Sequence, residues 1–406
     1  MAENKNGNKK DIVEQLKQLA EVYLVGGYVR DSLLFPEHRE KLSDKDWLVV
    51  GSSKQQMTEL GFIQVGKDFP VFIHPYTNEQ YALARAEIKT AKGYHGFEFA
   101  TDNIGLLDDL KRRDISINAM AMDEAGKIID PFKGKKDLDK KIIRHTSSQF
   151  SEDPLRVIRV ARFLAKFHHL GFEVDPKTKK LLIEMVKSGQ INELTPERVW
   201  LEVEKLCQYQ SPQVFFDLLA EIGALEVLFL GYAQELEGTK SNWFKKLNRA
   251  INLKELSLEL KVALLFFGYP HKNKLIKTYK LSKKLSKLLL LLHHYQNTFN
   301  QLLEDKMDSD LKEVASGLNS LFKQSRAIEQ DSLINEFIIL QMLIFDIPLN
   351  CKPLLRFVKA LHCYSFYDVA QKIKELKKNP KTKNVISELI DEHRTAKIEQ
   401  ALRQLN

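Results

Sequence analysis

Cysteine is scarce in this chain: 406 residues hold three, Cys207, Cys351 and Cys363. Their number is odd, their spacing wide, and no CxxC occurs, so neither a disulfide framework nor a cysteine-based zinc site follows. Long apolar runs are missing as well. The leucine run at 288–292 falls far short of the roughly 20 residues that a bilayer requires. The opening residues MAENKNGNKK are polar and carry no apolar secretion segment. A reducing cytoplasm is the compartment these features favour. No fixed-period repeat is present. Acidic residues are outnumbered, with Asp+Glu at 54 against Lys+Arg at 62 and a net charge of +8. That excess points to a polyanionic partner and says nothing about fold.

What is present is ordinary for a globular protein: 44% hydrophobic and 29% charged residues, in a length sufficient for two or three domains. After a polar lead, DIVEQLKQLA reads as a short amphipathic helix running into the strand VYLVG. From there to about residue 145, short β-rich runs (WLVVG, FPVFIH, EQYALARAEI, KIIDPF) mix with helices and Gly, Pro and Asn breaks. TAKGYHGFEFATDN has loop chemistry. Beyond about residue 146 strand signals nearly vanish. EDPLRVIRVARFLAKF and TPERVWLEVEKLC each start a helix, with an acid or Thr ahead of a Pro that suits the first helical position. The remainder reads as successive Leu- and Lys-rich helices. An α/β head followed by a long helical body is expected.

Four stretches carry chemistry. In SDKDWLVVG, Asp44 and Asp46 alternate, so on a strand both carboxylates project from one face. Two carboxylates held that close repel unless a cation lies between them, and hard oxygen ligands suit Mg²⁺. In LVGGYVRDSLL, Gly26 and Gly27 separate a strand from a helix and would let backbone N–H groups approach a phosphate. Arg30, one turn into that helix, supplies a cation, and Asp31 orients it or a metal-bound water. In DLKRRDISINAM, Arg112 and Arg113 sit beside Asp114, with Asn118 four residues on. Arg113 is the candidate phosphate or ribose contact, because guanidinium pairs bidentately with phosphate oxygens.

The fourth stretch is SEDPLRVIRVARF, where Asp153, Arg156, Arg159 and Arg162 recur every third residue. On a helix they form a slowly drifting stripe, with Leu155, Ile158 and Leu164 free to face a core. An Asp beside an Arg offers an acceptor and a donor, complementary to the exocyclic amine and ring nitrogen of cytosine and adenine. Guanine and uracil reverse that order and would leave buried groups unpaired at roughly 1–3 kcal/mol each. Asp153 and Arg156 could therefore select C and A without a nucleic-acid template. Arg159 and Arg162 would serve phosphates or brace that pair.

The ordered set GGYVRD, DKD, RRDISIN, DPFKGKKDL, EDPLRVIRVARF and TPERVWLEVEKL, spread over about residues 22–230, resembles the class II tRNA nucleotidyltransferases, that is, the CCA-adding enzymes and their poly(A) polymerase relatives. The resemblance implies an α+β architecture: a polymerase-β-like nucleotidyltransferase head with a mixed β-sheet, followed by an all-helical neck, body and tail. The expected segments are an N-terminal extension over 1–21, the head over 22–145, the neck over 146–215, and a tRNA-binding body and tail over 216–406. By the same resemblance Asp44 and Asp46 would be catalytic and hold Mg²⁺. Gly27, Arg30 and Arg113 would contact the nucleotide, Asp153 and Arg156 would read the base, and Arg159 and Arg162 would lie close by. Glu87 is the candidate third carboxylate, and a salt bridge to Arg85 or Lys89 is the structural alternative.

VGKDFPVFIHP at 65–75 resembles CCA-adding enzymes of the gammaproteobacterial kind, whose poly(A) polymerase neighbours usually carry a more basic RRF version. The full-length loop around 93–97 is similar to that of enzymes that add the complete CCA. The implied activity is addition of CCA to tRNA from CTP and ATP. Poly(A) synthesis and a catalytically inactive RNA-binding relative are the alternatives. The implied partners are tRNA, ATP and CTP, without membrane, for a monomer or homodimer. KKLSKL and HKNKLIKTYK are candidate RNA contacts. Close relatives carry a His-Asp phosphohydrolase motif, and no His-Asp dipeptide occurs in this sequence, so metal-dependent phosphatase or phosphodiesterase activity is not expected.

Overall fold

The computed structural model describes residues 7–41, 45–65, 71–89, 97–100, 104–232, 253, 256–303, 311–329, 332–348, 351–365, 367–377 and 386–405. The chain forms two compact units, Met1–Leu228 and Phe229–Asn406. The expected head–neck boundary near 145 falls inside the first of them.

The first unit is built on a mixed sheet of seven strands. Strand β1 (Glu21–Val25) lies beside β2 (Asp46–Val50), and β2 beside β5 (Gln80–Leu83). Strands β3 (Ile63–Val65) and β4 (Val71–Ile73) continue from β5, while β8 (Ala121–Met122) and β9 (Ile128–Ile129) extend the other edge. All neighbours are antiparallel except β2 and β5, which run parallel with Asp46 opposite Gln80 and Leu48 opposite Ala82. Side chains alternate across the sheet, and the two faces bury different sets. Val22, Val49, Phe72 and Tyr81 pack with Leu16 of helix α1 (Gly7–Leu19) and Met57 of α3 (Lys54–Glu59). Val25, Leu48 and Ala121 pack with Ala84 and with Leu110 of α4 (Leu106–Lys111) on the other face. Adjacent Leu48 and Val49 thus serve opposite cores. One face carries the helices that cover the sheet, and the other approaches the arginine-bearing α4 turn.

The run EQYALARAEI, expected as one strand, is two. It leaves the sheet after β5 and re-forms as β6 (Ala86–Lys89), which pairs antiparallel with β7 (Phe97–Ala100) as a separate hairpin. The break has a local cause. The Ala84 N–H still donates to the Val49 carbonyl at 2.8 Å, but the next amide, Arg85, turns to the buried Asp109 carboxylate at 3.4 Å. Glu87 accordingly lies on the hairpin, opposite Phe99.

The rest of the first unit is helical, apart from the parallel pair of β10 (Ile142–Ile143) and β11 (Glu173–Val174). Helix α6 (Leu155–Phe167) is its centre and is buried on nearly every side, Arg156 and Arg162 included. Asp153 Oδ1 accepts the Leu155 N–H at 3.0 Å, so the acid ahead of Pro154 caps the helix it was expected to open. Helix α7 (Pro176–Lys187) is capped by Asp175, whose Oδ2 accepts the amides of Lys177 and Thr178 at 3.1 Å each. Helix α8 (Pro196–Leu206) follows, and its Arg198, Glu202 and Lys205 share one face at i, i+4 and i+7.

The regular elements among the described residues of the second unit are all helices. The leucine run at 288–292 lies in the 21-residue helix Lys283–Leu303, with Leu288, Leu289, Leu291 and Leu292 buried. Phe299 of that helix meets Phe337, Phe345 and Phe357 with ring centroids 6.0–6.3 Å apart. His293 and His294 are exposed on it, as are Lys283, Lys284 and Lys287 at its start. Among the described residues no helix is long and apolar enough to cross a membrane.

Candidate active site

A cleft of about 490 Å³ opens where the end of β1, the start of β2 and the beginning of α6 come together. Its walls include Gly26, Gly27, Asp46 and Arg113 from the head, and Asp153 and Arg156 from the helical part. The glycine turn is obligatory. Gly26 has φ +68°, a conformation L side chains rarely adopt, and a Cβ there would stand 2.9 Å from Arg113 Nη1. Helix α2 (Gly27–Leu34) starts at this turn; its first-turn amides have no partner within the helix, and its first residue, Gly27, lies at the cleft wall. Asp46 begins β2 and is exposed. Asp44 lies outside the described residues, as do 66–70 and 90–96, which hold most of the two segments compared above with CCA-adding enzymes.

Arg30 is 4% exposed and commits three of its five N–H groups to protein partners. It forms a fork with Asp31, Nε to Oδ1 at 2.7 Å and Nη2 to Oδ2 at 2.8 Å, and Nη1 donates to Asn118 Oδ1. Its guanidinium also stands 5.0 Å from the Phe167 ring centre and 5.9 Å from that of Phe163. Asn118 relays the contact by donating from Nδ2 to Asp114 Oδ1 at 3.1 Å. Asp114 in turn accepts Arg159 Nε at 2.8 Å and Nη2 at 2.6 Å. A chain of polar contacts, Arg30–Asn118–Asp114–Arg159, therefore ties the glycine-turn helix to α6. Burial alone would raise the Asp114 pKa. The Arg159 charge and the hydrogen bonds from Asn118, Arg159 and the Ile115 amide outweigh it and hold the carboxyl well below the usual range. The Asp114 charge likewise raises Arg159 above its ordinary value.

A second buried acid organises the neighbouring arginines. Asp109, fully buried, accepts Arg112 through Oδ1 and Arg113 through Oδ2, the latter from Nε at 3.1 Å and Nη2 at 3.0 Å. Burial opposes its ionisation, but the two guanidinium charges win and its pKa is lowered. The turn after α4 is thus a buried platform that presents Arg112 and Arg113 to the cleft.

The stripe on α6 meets a complementary face on α8. Arg198 forks onto Asp153, with Nη1 3.3 Å from Oδ1 and Nη2 2.7 Å from Oδ2. Glu202, 3% exposed, accepts Arg162 Nε and Lys205 Nζ (2.9 Å) and stands 3.6 Å from Arg159. Arg162 also donates to the Tyr209 hydroxyl at 2.8 Å and lies 4.0 Å over the Phe163 ring. Arg162 is therefore not a wall of the cleft but a buried brace behind it, whereas Arg159 lines the cleft. Arg156 donates from Nη1 to the Gln149 carbonyl.

Gly27, Arg30, Asp46, Arg113, Asp153, Arg156 and Arg159 are thus gathered around one cavity. Asp109, Arg198 and Glu202 were not among the expected site residues. The last two were legible only as the i, i+4, i+7 charged face within TPERVWLEVEKL. For a metal, Asp46 offers an exposed carboxylate at the cleft. Among the described residues no group of three or more His, Cys, Asp or Glu is placed to hold an ion. Mg²⁺ commonly binds through one or two carboxylates completed by water and substrate phosphates, so this donor set fits it.

Residues 22–144 match the family described as Poly A polymerase head domain, and residues 171–236 match the one described as probable RNA and SrmB-binding site of polymerase A. A Multifunctional CCA protein of Shewanella frigidimarina (strain NCIMB 400) is 56% identical over 209 residues, 51% of this chain and 50% of that protein. The chain thus aligns with about half the length of that relative. The fold is similar to that of the Bacillus stearothermophilus CCA-adding enzyme in complex with CTP: TM-score 0.60, 22% identity, covering 98% of this chain and 94% of that one. Two further CCA-adding enzyme structures, an apo form and a complex with ATP, give TM-scores of 0.65 and 0.63 at 20% identity. They cover 98% of this chain and 94% and 92% of theirs.

Proposed function

We propose, from the match of residues 22–144 to the Poly A polymerase head-domain family and the similarity to a Multifunctional CCA protein, that this protein adds CCA to the 3′ end of tRNA using CTP and ATP. The observation that carries this reading is the single cleft in which a glycine turn, the Asp46 carboxylate and Arg113 face Asp153 and Arg156. A phosphate-binding wall and a base-reading wall on one cavity suit a nucleoside triphosphate, and nothing in that wall requires a template strand.

In the proposed reaction the 3′-oxygen of tRNA forms a bond to the α-phosphorus while the α–β bridging bond breaks. The bond's electron pair leaves with pyrophosphate, and the hydroxyl proton passes to solvent. Asp46, with Asp44, would hold Mg²⁺. Such an ion, when bound, acidifies the attacking hydroxyl and offsets charge on the leaving oxygens. The α2 N-terminus and Arg113 would bind phosphates. Arg30 keeps two of its five N–H groups beyond the contacts to Asp31 and Asn118, and would add cationic charge nearby. Asp153 would accept the exocyclic amine of C or A while Arg156 donates to the ring nitrogen. Arg159 would support that wall through Asp114. The exposed Lys283, Lys284 and Lys287 suit an electrostatic contact with RNA, whose strength should fall as salt rises.

The test is a tRNA transcript lacking its CCA, incubated with Mg²⁺ and each labelled nucleotide, alone and together. Addition of C, C and A followed by a stop supports the reading. A long A tail from ATP alone would make the protein a poly(A) polymerase, and no extension would leave an RNA-binding relative.

A further inference from the structure

The base-reading role proposed for Asp153 leaves a question of geometry. A carboxylate has about four lone-pair sites and, as a terminal sp³–sp² group, turns broadly about its last torsion. Selection of C and A over U needs that acceptor fixed opposite the exocyclic position. Uracil carries its donor one position away, on the ring, and an Asp free to swing could accept it there. Something must hold the carboxylate plane.

Arg198 does this from a different helix. Its two terminal nitrogens engage both carboxylate oxygens, at 3.3 Å and 2.7 Å, in the planar fork that only guanidinium provides. The Leu155 amide takes a second site on Oδ1 at 3.0 Å. Three of the four sites are then occupied, and one acceptor remains, on Oδ2. Both residues line the cleft, with Arg156 and Phe163 beside them. Arg198 is carried by α8, so its position is set by the packing of that helix against α6.

Resting on the CCA-adding reading, we propose that Arg198 is a positioning residue for nucleotide selection: it locks Asp153 so that one carboxylate oxygen alone is presented to the base. The fork closes off every approach but that of an amine at the exocyclic position. Selection against U and G then depends on α8 as much as on the α6 residues that touch the base.

The experiment compares wild type, Arg198→Gln and Arg198→Lys in the full chain, on a tRNA transcript ending before the CCA. It reads kcat/KM for CTP, ATP, UTP and GTP together with the melting temperature. Arg198→Gln should reduce discrimination against UTP by about tenfold or more, the size of one mispaired buried group. Arg198→Lys, which keeps the charge and loses the fork, should fall between it and wild type. Combining Arg198→Gln with Asp153→Ala should lower discrimination no further than Asp153→Ala alone. A uniform fall for all four nucleotides, with their ratios intact, would mean a merely structural role and overturn the proposal. Faster C and A addition at unchanged ratios would show a plug rather than a clamp, and also overturn it. A wild-type protein that extends nothing would remove the reading beneath it, an outcome separate from intact discrimination in the variants.

Discussion

Replacing Glu202 by glutamine takes one negative charge from a point where three cations converge and leaves the side-chain shape nearly unchanged. Glu202 is 3% exposed, and Arg162 beside it is 6% exposed. After the substitution Arg162 keeps the Tyr209 hydroxyl and the Phe163 face, but its charge has lost its carboxylate. Breaking a buried ion pair from one side costs about 3–5 kcal/mol. The lower end applies, because the Gln oxygen still accepts one hydrogen bond. With an unfolding entropy of about 2.1 cal/mol/K per residue, the 228 residues of the first unit give on the order of 0.5 kcal/mol/K, and ~3 kcal/mol becomes a fall of roughly 6 °C. Scanning calorimetry of the full chain reads this in the transition of the first unit. Catalysis should respond differently. Arg159 stands 3.6 Å from Glu202 but 2.6 Å from Asp114, so its main anchor survives. Single-turnover incorporation should slow for every nucleotide in proportion, without altered base choice. A melting shift under about 2 °C would refute the account of Glu202 as a buried anchor, since the general cost of an unpaired buried charge would then not apply here. A change in base choice at normal stability would refute the separation between brace and reading wall.

Asp46→Ala should abolish nucleotide addition while leaving the melting temperature within about 1 °C, because the side chain is exposed and surface changes cost little; substantial retained activity would remove Asp46 from the metal site. Gly26→Ala must adopt φ +68° and push Arg113 Nη1 from 2.9 Å, so nucleotide KM should rise severalfold and stability drop by about 1 kcal/mol; an unchanged KM would mean the turn does not set the Arg113 position. Asp109, Asp114 and Glu202 all have lowered pKa values in the folded state. Their stabilisation is fully present above the unfolded carboxylate range near pH ~4 and is lost as pH falls below it toward the folded values. Melting temperature should therefore drop steeply below about pH 4, and less steeply in Asp114→Asn, as calorimetry across pH 2–7 would show.

The sequence by itself determined where several elements begin and which residue types reach the cleft. Short β-rich runs marked β1 and β2, the glycine pair marked the turn into α2, and Asp153-Pro154 marked the start of α6. These are local properties: backbone freedom, strand alternation and helix capping act within a few residues, so they can be read along the chain. The head's mixed sheet and the helical remainder followed from the same local signals together with the family likeness. Which side chains meet was decided only by the tertiary structure. Nothing local distinguishes Arg159, which lines the cleft, from Arg162 one turn later, which is buried against Glu202. Nor does local sequence say that the run from Gln80 to Lys89 breaks because the Arg85 amide finds Asp109, 24 residues onward. Asp153 looks in sequence like the partner of Arg156, yet its carboxylate is forked by Arg198, 45 residues away on another helix. Charges taken out of water must be matched in three dimensions. The residue that matches each is chosen by helix packing, which no spacing along the chain records.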